Sequence, residues 1–443
     1  MKKIFLAISL IFATVNNAFS LTLDEAIDLA KKDNLELKSQ EYSYKAAKSE
    51  KLKSLGGFLP KASVSARSGS RRTRIGDNPR INSDIDSKTF SASQNLFDGF
   101  GSTFKLKEAN NILKREKAAK DSKSQQITLG VVRTYLDGLR YKKLLEIGEE
   151  NLESQKNLLS YIKRRFGAKD ATRAEIAKAK ADFIRAKNDC ESNRNSLNFA
   201  KENLARYLQI DISQIDSLEE VELGDMSTEN MDLEADLIAS ENKSQDEIQG
   251  EAQNLEEMFI DAVQNNPEVR IAKYEHGASV YRSKASKSAL APQVNLNFEI
   301  SEQENSLYLG NQKERDKSIY LNVTVPIFTS GLNYFNISST SNARKSERYR
   351  YEAMKRQIRN SVIEYHTQQK NLEANYRSAK ELEKANEVYM LTLKKEERLG
   401  TRSIIELLEV KQDLYRSKIE VINLYYEKIY NKFELDALLG RLI

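Results

Sequence analysis

Cysteine is almost absent from this sequence: Cys190 stands alone, which excludes an internal disulfide and a cysteine-type zinc site and leaves packing and association to hold the chain together. Histidine is nearly as scarce. His276 and His366 lie 90 residues apart with no acidic or histidine companions at ligand spacing, so both read as helix-surface residues and no metal is expected. Nucleophile triads, Walker loops and dinucleotide fingerprints are missing, so neither enzyme activity nor a cofactor is expected. Past the amino terminus no apolar run reaches the roughly 18 residues of a membrane helix. If the protein crosses a membrane, it must use β-strands.

What is present begins with an export signal over residues 1–20: Lys2 and Lys3, the apolar run Ile4 to Val15, and the small-x-small Ala18-Phe19-Ser20. The mature chain is expected to start at Leu21, with no cysteine there to carry a lipid. The net charge of +5 hides an asymmetry, because Glu219 to Glu257 holds 14 acidic residues against Lys243 alone. The basic remainder has the balance of a nucleic-acid binder. Export, and the scattering of the charges along helices, argue for a solvated surface and no nucleic acid.

The sequence repeats itself. Thr22-Leu23-Asp24-Glu25 is a capping box, and Asn254-Leu255-Glu256-Glu257 has the same form 232 residues later. Asn34-Leu35-Glu36-Leu37 then falls on Asn266-Pro267-Glu268-Val269, and Leu59-Pro60 on Ala291-Pro292. The expected division is a first repeat over 21–218, an acidic linker over 219–253 and a second repeat over 254–443. Each repeat carries a strand pair, near 60–97 and near 293–327. In the second, Val294, Leu296, Phe298 and Ile300 alternate with polar residues, as do Ile319, Leu321, Val323 and Val325. Period two with one apolar face fits a strand between lipid and water, and it fits a half-buried strand of a soluble sandwich as well. Matched corners close the pairs, Asn95 to Gly99 and Pro326 to Gly331.

After each corner comes a run without proline, Gly101 to Phe166 and Leu332 to Leu399, each about 100 Å of helix. Gly167 and Gly400 end them, and a second helix returns from each tip, the later one N-capped by Ser403 with Glu406 three residues on. On that last helix Ile404, Leu408, Tyr415, Ile422, Tyr425 and Ile429 form one apolar seam, broken at Lys411 and Lys418. Leu407, Val410, Leu414, Val421 and Leu424 form a second beside it. Two seams call for two neighbouring helices, in the wall of a cylinder or in a soluble four-helix bundle. The fold class is mainly α with a small β part. Four strands cannot close a barrel with a lumen, so strands must be pooled between chains, and three copies would give twelve strands and twelve helical segments.

The stretch Gly400-Thr401-Arg402-Ser403-Ile404-Ile405-Glu406-Leu407-Leu408-Glu409, followed by Leu414-Tyr415 and Ala437-Leu438-Leu439-Gly440-Arg441-Leu442, resembles the TolC-type outer-membrane factors. Val325-Pro326-Ile327-Phe328 and the doubled Leu-x-x-Ala/Phe openings agree with it, and the likeness covers essentially the whole mature chain. The resemblance implies a homotrimer in the outer membrane, with a twelve-stranded β-barrel and an α-helical tunnel reaching into the periplasm. It implies a passive exit duct for drug efflux or type I protein secretion, working with a periplasmic adaptor and an inner-membrane pump. Glu406 and Glu409 take the positions of the family's acidic entrance rings, and Arg402 that of the arginine latching the closed iris, with Asp170, Thr172 or Glu175 as possible acceptors. Gly167, Gly400 and Thr401 mark the tips where the adaptor docks. Read without the family, Glu406 and Glu409 lie three apart on one helix face, and two exposed glutamates supporting a helix N-terminus is the favoured reading. The other readings are a structural periplasmic coiled-coil spacer or stalk, which leaves the paired strands unexplained, and the adaptor itself, which would need one hairpin.

Overall fold

A computed structural model of the chain describes residues 19–74, 76–77, 80–220, 245–305, 313–399 and 401–442. The expected export signal up to residue 18, most of the acidic segment, and Gly400 lie outside the described residues. The capping box at Thr22 forms as its residue types require: the Thr22 hydroxyl accepts from the Glu25 N–H and the Glu25 carboxylate accepts from the Thr22 N–H. It opens α1 (Leu23–Asp33). Asn34 then accepts from the N–H groups of Glu36 and Leu37, at 2.9 and 3.2 Å, and starts α2 (Leu35–Leu55).

From there the order is β2 (Lys61–Thr73), β3 (Ile81–Phe97), α3 (Gly101–Gly167) and α4 (Arg173–Leu208). The same order recurs as α5 (Gln245–Asn265), α6 (Pro267–Ser288), β5 (Gln293–Asn305), β6 (Lys313–Thr324), α7 (Leu332–Arg398) and α8 (Ile404–Leu438). Outside the pattern stand β1 (Phe19–Leu21) and β4 (Ile215–Leu218), a parallel pair. The long helices match in length, 67 residues each. The returning ones have 36 and 35. One expectation fails: Asn254 opens no helix, because α5 already runs from Gln245 and places it in the interior.

Two compact units result, each built from both halves of the chain. The first comprises Met1–Lys38, Lys123–Asn266 and Ile358–Ile443. Its main core joins Ala26 and Ala30 of α1, Val131, Tyr135 and Leu139 of α3, Leu204 and Leu208 of α4, and Tyr426 and Ile429 of α8. The β1–β4 pair is bound into this core by Tyr135, whose hydroxyl lies 2.6 Å from the Leu21 carbonyl and 2.8 Å from that of Glu219. Towards the tips the two seams of α8 separate as expected. Ile404 and Leu408 pack with Leu158, Leu159, Ile162 and Ala179 of the first hairpin, while Leu407 and Val410 pack on Leu393 of α7.

The second unit, Ser39–Ser122 with Pro267–Gln357, holds a four-stranded antiparallel sheet in the order β2-β3-β5-β6. Both corners turn through two consecutive left-handed residues, Gly99 and Phe100 in one and Ser330 and Gly331 in the other. Gly99 is required on a second ground, since a Cβ there would collide with that of Ala291. Asp98 caps the start of α3, accepting from the Ser102 N–H and hydroxyl, both at 2.7 Å. His276 in this unit is half-buried rather than on a helix surface: it stacks on Tyr351 and its Nδ1 has no hydrogen-bond partner.

Candidate functional site

Register turns the sheet into a two-faced surface. Val294 lies opposite Val323, Leu296 opposite Leu321, Phe298 between Ala92 and Ile319, and Ile300 opposite Phe90, which is opposite Val64. The neighbouring rows are polar: Asn295 with Asn322, Asn297 with Ser93, Glu299 with Ser91 and Ser318. Strand period two therefore places these apolar residues on one face, where Gln94 opposite Leu296 and Lys317 opposite Ile300 interrupt them, and the polar rows on the other. From Val294 to Ile300 the apolar band is about 20 Å high. It ends where Glu302 lies between Lys88 and Arg315. No core covers it: Ile319, Leu321 and Val323 are exposed, and beyond β6 Ile327 is 95% and Phe328 85% exposed. Among the described residues no helix is long and apolar enough to cross a membrane.

At the first tip α3 ends on Gly167, where a Cβ would meet open space. Here Lys169, not the glycine, takes the left-handed conformation. The Asp170 N–H closes the turn on the Arg165 carbonyl at 2.8 Å, and Thr172 with Glu175 forms a complete capping box for α4. At the second tip the N–H and hydroxyl of Thr401 both donate to the Glu396 carbonyl, at 3.1 and 2.9 Å. Ser403 caps α8 by accepting from Ile405 at 3.1 Å. Glu406 completes no box with it, because its carboxylate turns to Arg402.

Within one chain the two tip arginines make different bonds. Arg402 bonds within its own hairpin, to Glu396 at 3.2 Å and to Glu406 at 3.5 Å. None of Asp170, Thr172 and Glu175 receives it in this chain, since Asp170 is held by Arg165 at 2.8 Å and the other two cap each other. The bond between the hairpins comes from Arg165, whose Nη1 reaches the Glu397 carboxylate of α7 at 3.1 Å. Glu397 is nearly enclosed, with a side chain 7% exposed. Sequence reading missed both partners, since residues 232 positions apart give no local signal; only the polar Glu397 at a buried helical position hinted at one. Glu406 is half-exposed and Glu409 exposed, on the same face of α8, and no ion pair among the described residues holds Glu409.

Comparison with known proteins follows the architecture. A sequence model of the family described as outer membrane efflux protein matches residues 26–208 and 260–441. The outer membrane efflux protein BepC of Brucella suis biovar 1 is 20% identical over 350 residues, spanning 79% of this chain and 71% of that protein. Among solved structures, VceC of Vibrio cholerae superimposes with a TM-score of 0.79 at 14% identity, covering 94% of this chain and 96% of its own. The CmeC outer membrane channel of Campylobacter jejuni gives 0.77 at 16%, over 95% and 85%. At these identities the structural likeness establishes the fold.

Proposed function

The chain belongs to the outer membrane efflux protein family, and on that premise we propose that it is the exit duct of a tripartite export system in the outer membrane. Three copies pool their sheets into a twelve-stranded barrel and their hairpins into a tunnel in the periplasm. The observation that carries this reading is the apolar band of the sheet. Four strands are too few to close a barrel, β2 and β6 each keep an edge without a partner among the described residues, and the apolar face is bare. Lipid on that face and a second copy at each edge satisfy all three conditions.

Glu406 and Glu409, repeated around a threefold axis, form a narrow acidic entrance that favours cations. Arg402 and the tips at Gly167, Gly400 and Thr401 govern its opening, which an adaptor and an inner-membrane pump bring about as a population shift. The duct itself breaks no bond and serves drug efflux, type I secretion or both. Single-channel recording in a planar bilayer tests this, comparing wild type with the double variant Glu406→Ala, Glu409→Ala. Small cation-selective openings that widen and lose selectivity in the variant are expected. Silence from membrane-inserted protein would overturn the conduit.

A further inference from the structure

The two lysines that interrupt the apolar seam of α8 share one cavity. Lys411 and Lys418, with Leu414 between them, line a space of about 160 Å³ against Ile147, Asn151 and Ser154 of α3 and Met390 of α7. Lys411 has only a neutral partner there, the Ser154 hydroxyl at 3.1 Å. Burial and the nearby Lys394 charge both push its ammonium pKa down. Among the described residues no carboxylate pairs with either lysine, and Glu150, the acidic residue of the wall, is exposed. The same helix handles its fully buried lysine differently, since the Glu373 carboxylate is bonded to Lys428. Both lysines are half-buried, so each loses part of its hydration, and a partly desolvated cation without an anion is unfavourable. The seam at Lys411 therefore lacks a negative charge that Lys428 has.

The walls define what fits. Ile147, Met390 and Leu414 are apolar, the two lysine charges outnumber the one exposed carboxylate of Glu150, and a volume of about 150 Å³ admits a benzene ring. We propose that this cavity binds a small organic anion, its carboxylate on Lys411 and Lys418 and its apolar body against Ile147, Met390 and Leu414. Because α3 belongs to the first hairpin and α7 and α8 to the second, the bound anion ties the two together. The site does not depend on the chain being a conduit.

Equilibrium dialysis of labelled benzoate against the full-length protein in detergent, at fixed ionic strength, provides the test. One saturable site per chain is expected, weakened about tenfold or more in Lys411→Gln by loss of a charge-assisted hydrogen bond and abolished in Met390→Trp, which fills the cavity. Benzyl alcohol, which keeps the ring and lacks the charge, should not compete. Absence of saturable binding, or binding unchanged in both variants, overturns the proposal. So does inorganic phosphate competing as strongly as benzoate, because the apolar walls would then contribute nothing. Thermal unfolding of both variants checks their fold, and Lys418→Gln replaces either one that fails.

Discussion

Tyr135 shows how much one hydroxyl can carry. It holds the carbonyls of Leu21 and Glu219 together, and burial pushes its pKa up to about 12. Tyr135→Phe is expected to lower unfolding stability by roughly 0.5–1.5 kcal/mol, the net worth of the one hydrogen bond its O–H makes, because the Leu21 carbonyl keeps the Glu219 N–H as a donor and Glu219 is exposed; chemical denaturation measures it. The raised pKa also fixes a pH dependence. The folded state keeps a proton that the unfolded chain gives up near pH 10, so stability is fully present below about 10 and is lost as pH climbs towards 12. Tyr415 and Tyr430, also pushed up to about 12 by burial, act in the same direction. A denaturation midpoint that stayed level from pH 9 to 12 would contradict this. At the tips, Arg165→Ser leaves the enclosed Glu397 unpaired, whereas Arg402→Ser removes exposed bonds within one hairpin. Bilayer recordings should therefore show the larger rise in leak for Arg165→Ser, and equal leak would count against the cross-hairpin bond as a restraint.

Elements were legible in the sequence where the signal was local. Period two marked β5 and β6 because each residue's face depends only on its neighbours, and the paired seams of α8 called for two neighbouring helices for the same reason, without saying which. Local signals also misled. Asn254-Leu255-Glu256-Glu257 has the letters of a capping box, yet the helix upstream of it overrides the cap. Gly167 is the residue best suited to a left-handed turn, and Lys169 takes it, stabilised by the Asp170 N–H on the Arg165 carbonyl. The partners of Arg165 and Lys411 were hidden because tertiary packing alone sets them. The sheet offers an element-scale test. Phe298→Arg puts a charge within the apolar band and should cost about 2–4 kcal/mol of membrane insertion. Asn297→Arg, on the polar face, should cost well under 1 kcal/mol. Folding into lipid vesicles at graded urea compares them, and equal penalties would remove lipid from the apolar face.

At the scale of the whole molecule the repeats and the units cut across each other. The first unit takes Ala26 from one end of the chain and Ile429 from the other into a single core. Its β1–β4 pair closes a loop of nearly two hundred residues, and the lock on that pair sits in α3. Contacts so distant in sequence are expected to form slowly. A chain cut short before Ile404 would lack Leu408, Tyr426 and Ile429, and limited proteolysis should find its first unit open; protection equal to that of the full chain would show the core closing without α8. The interleaving thus acts as a clock. The core around Tyr135 is incomplete until Tyr426 and Ile429 of the last helix have been made, so the finishing of the first unit is timed by the end of synthesis.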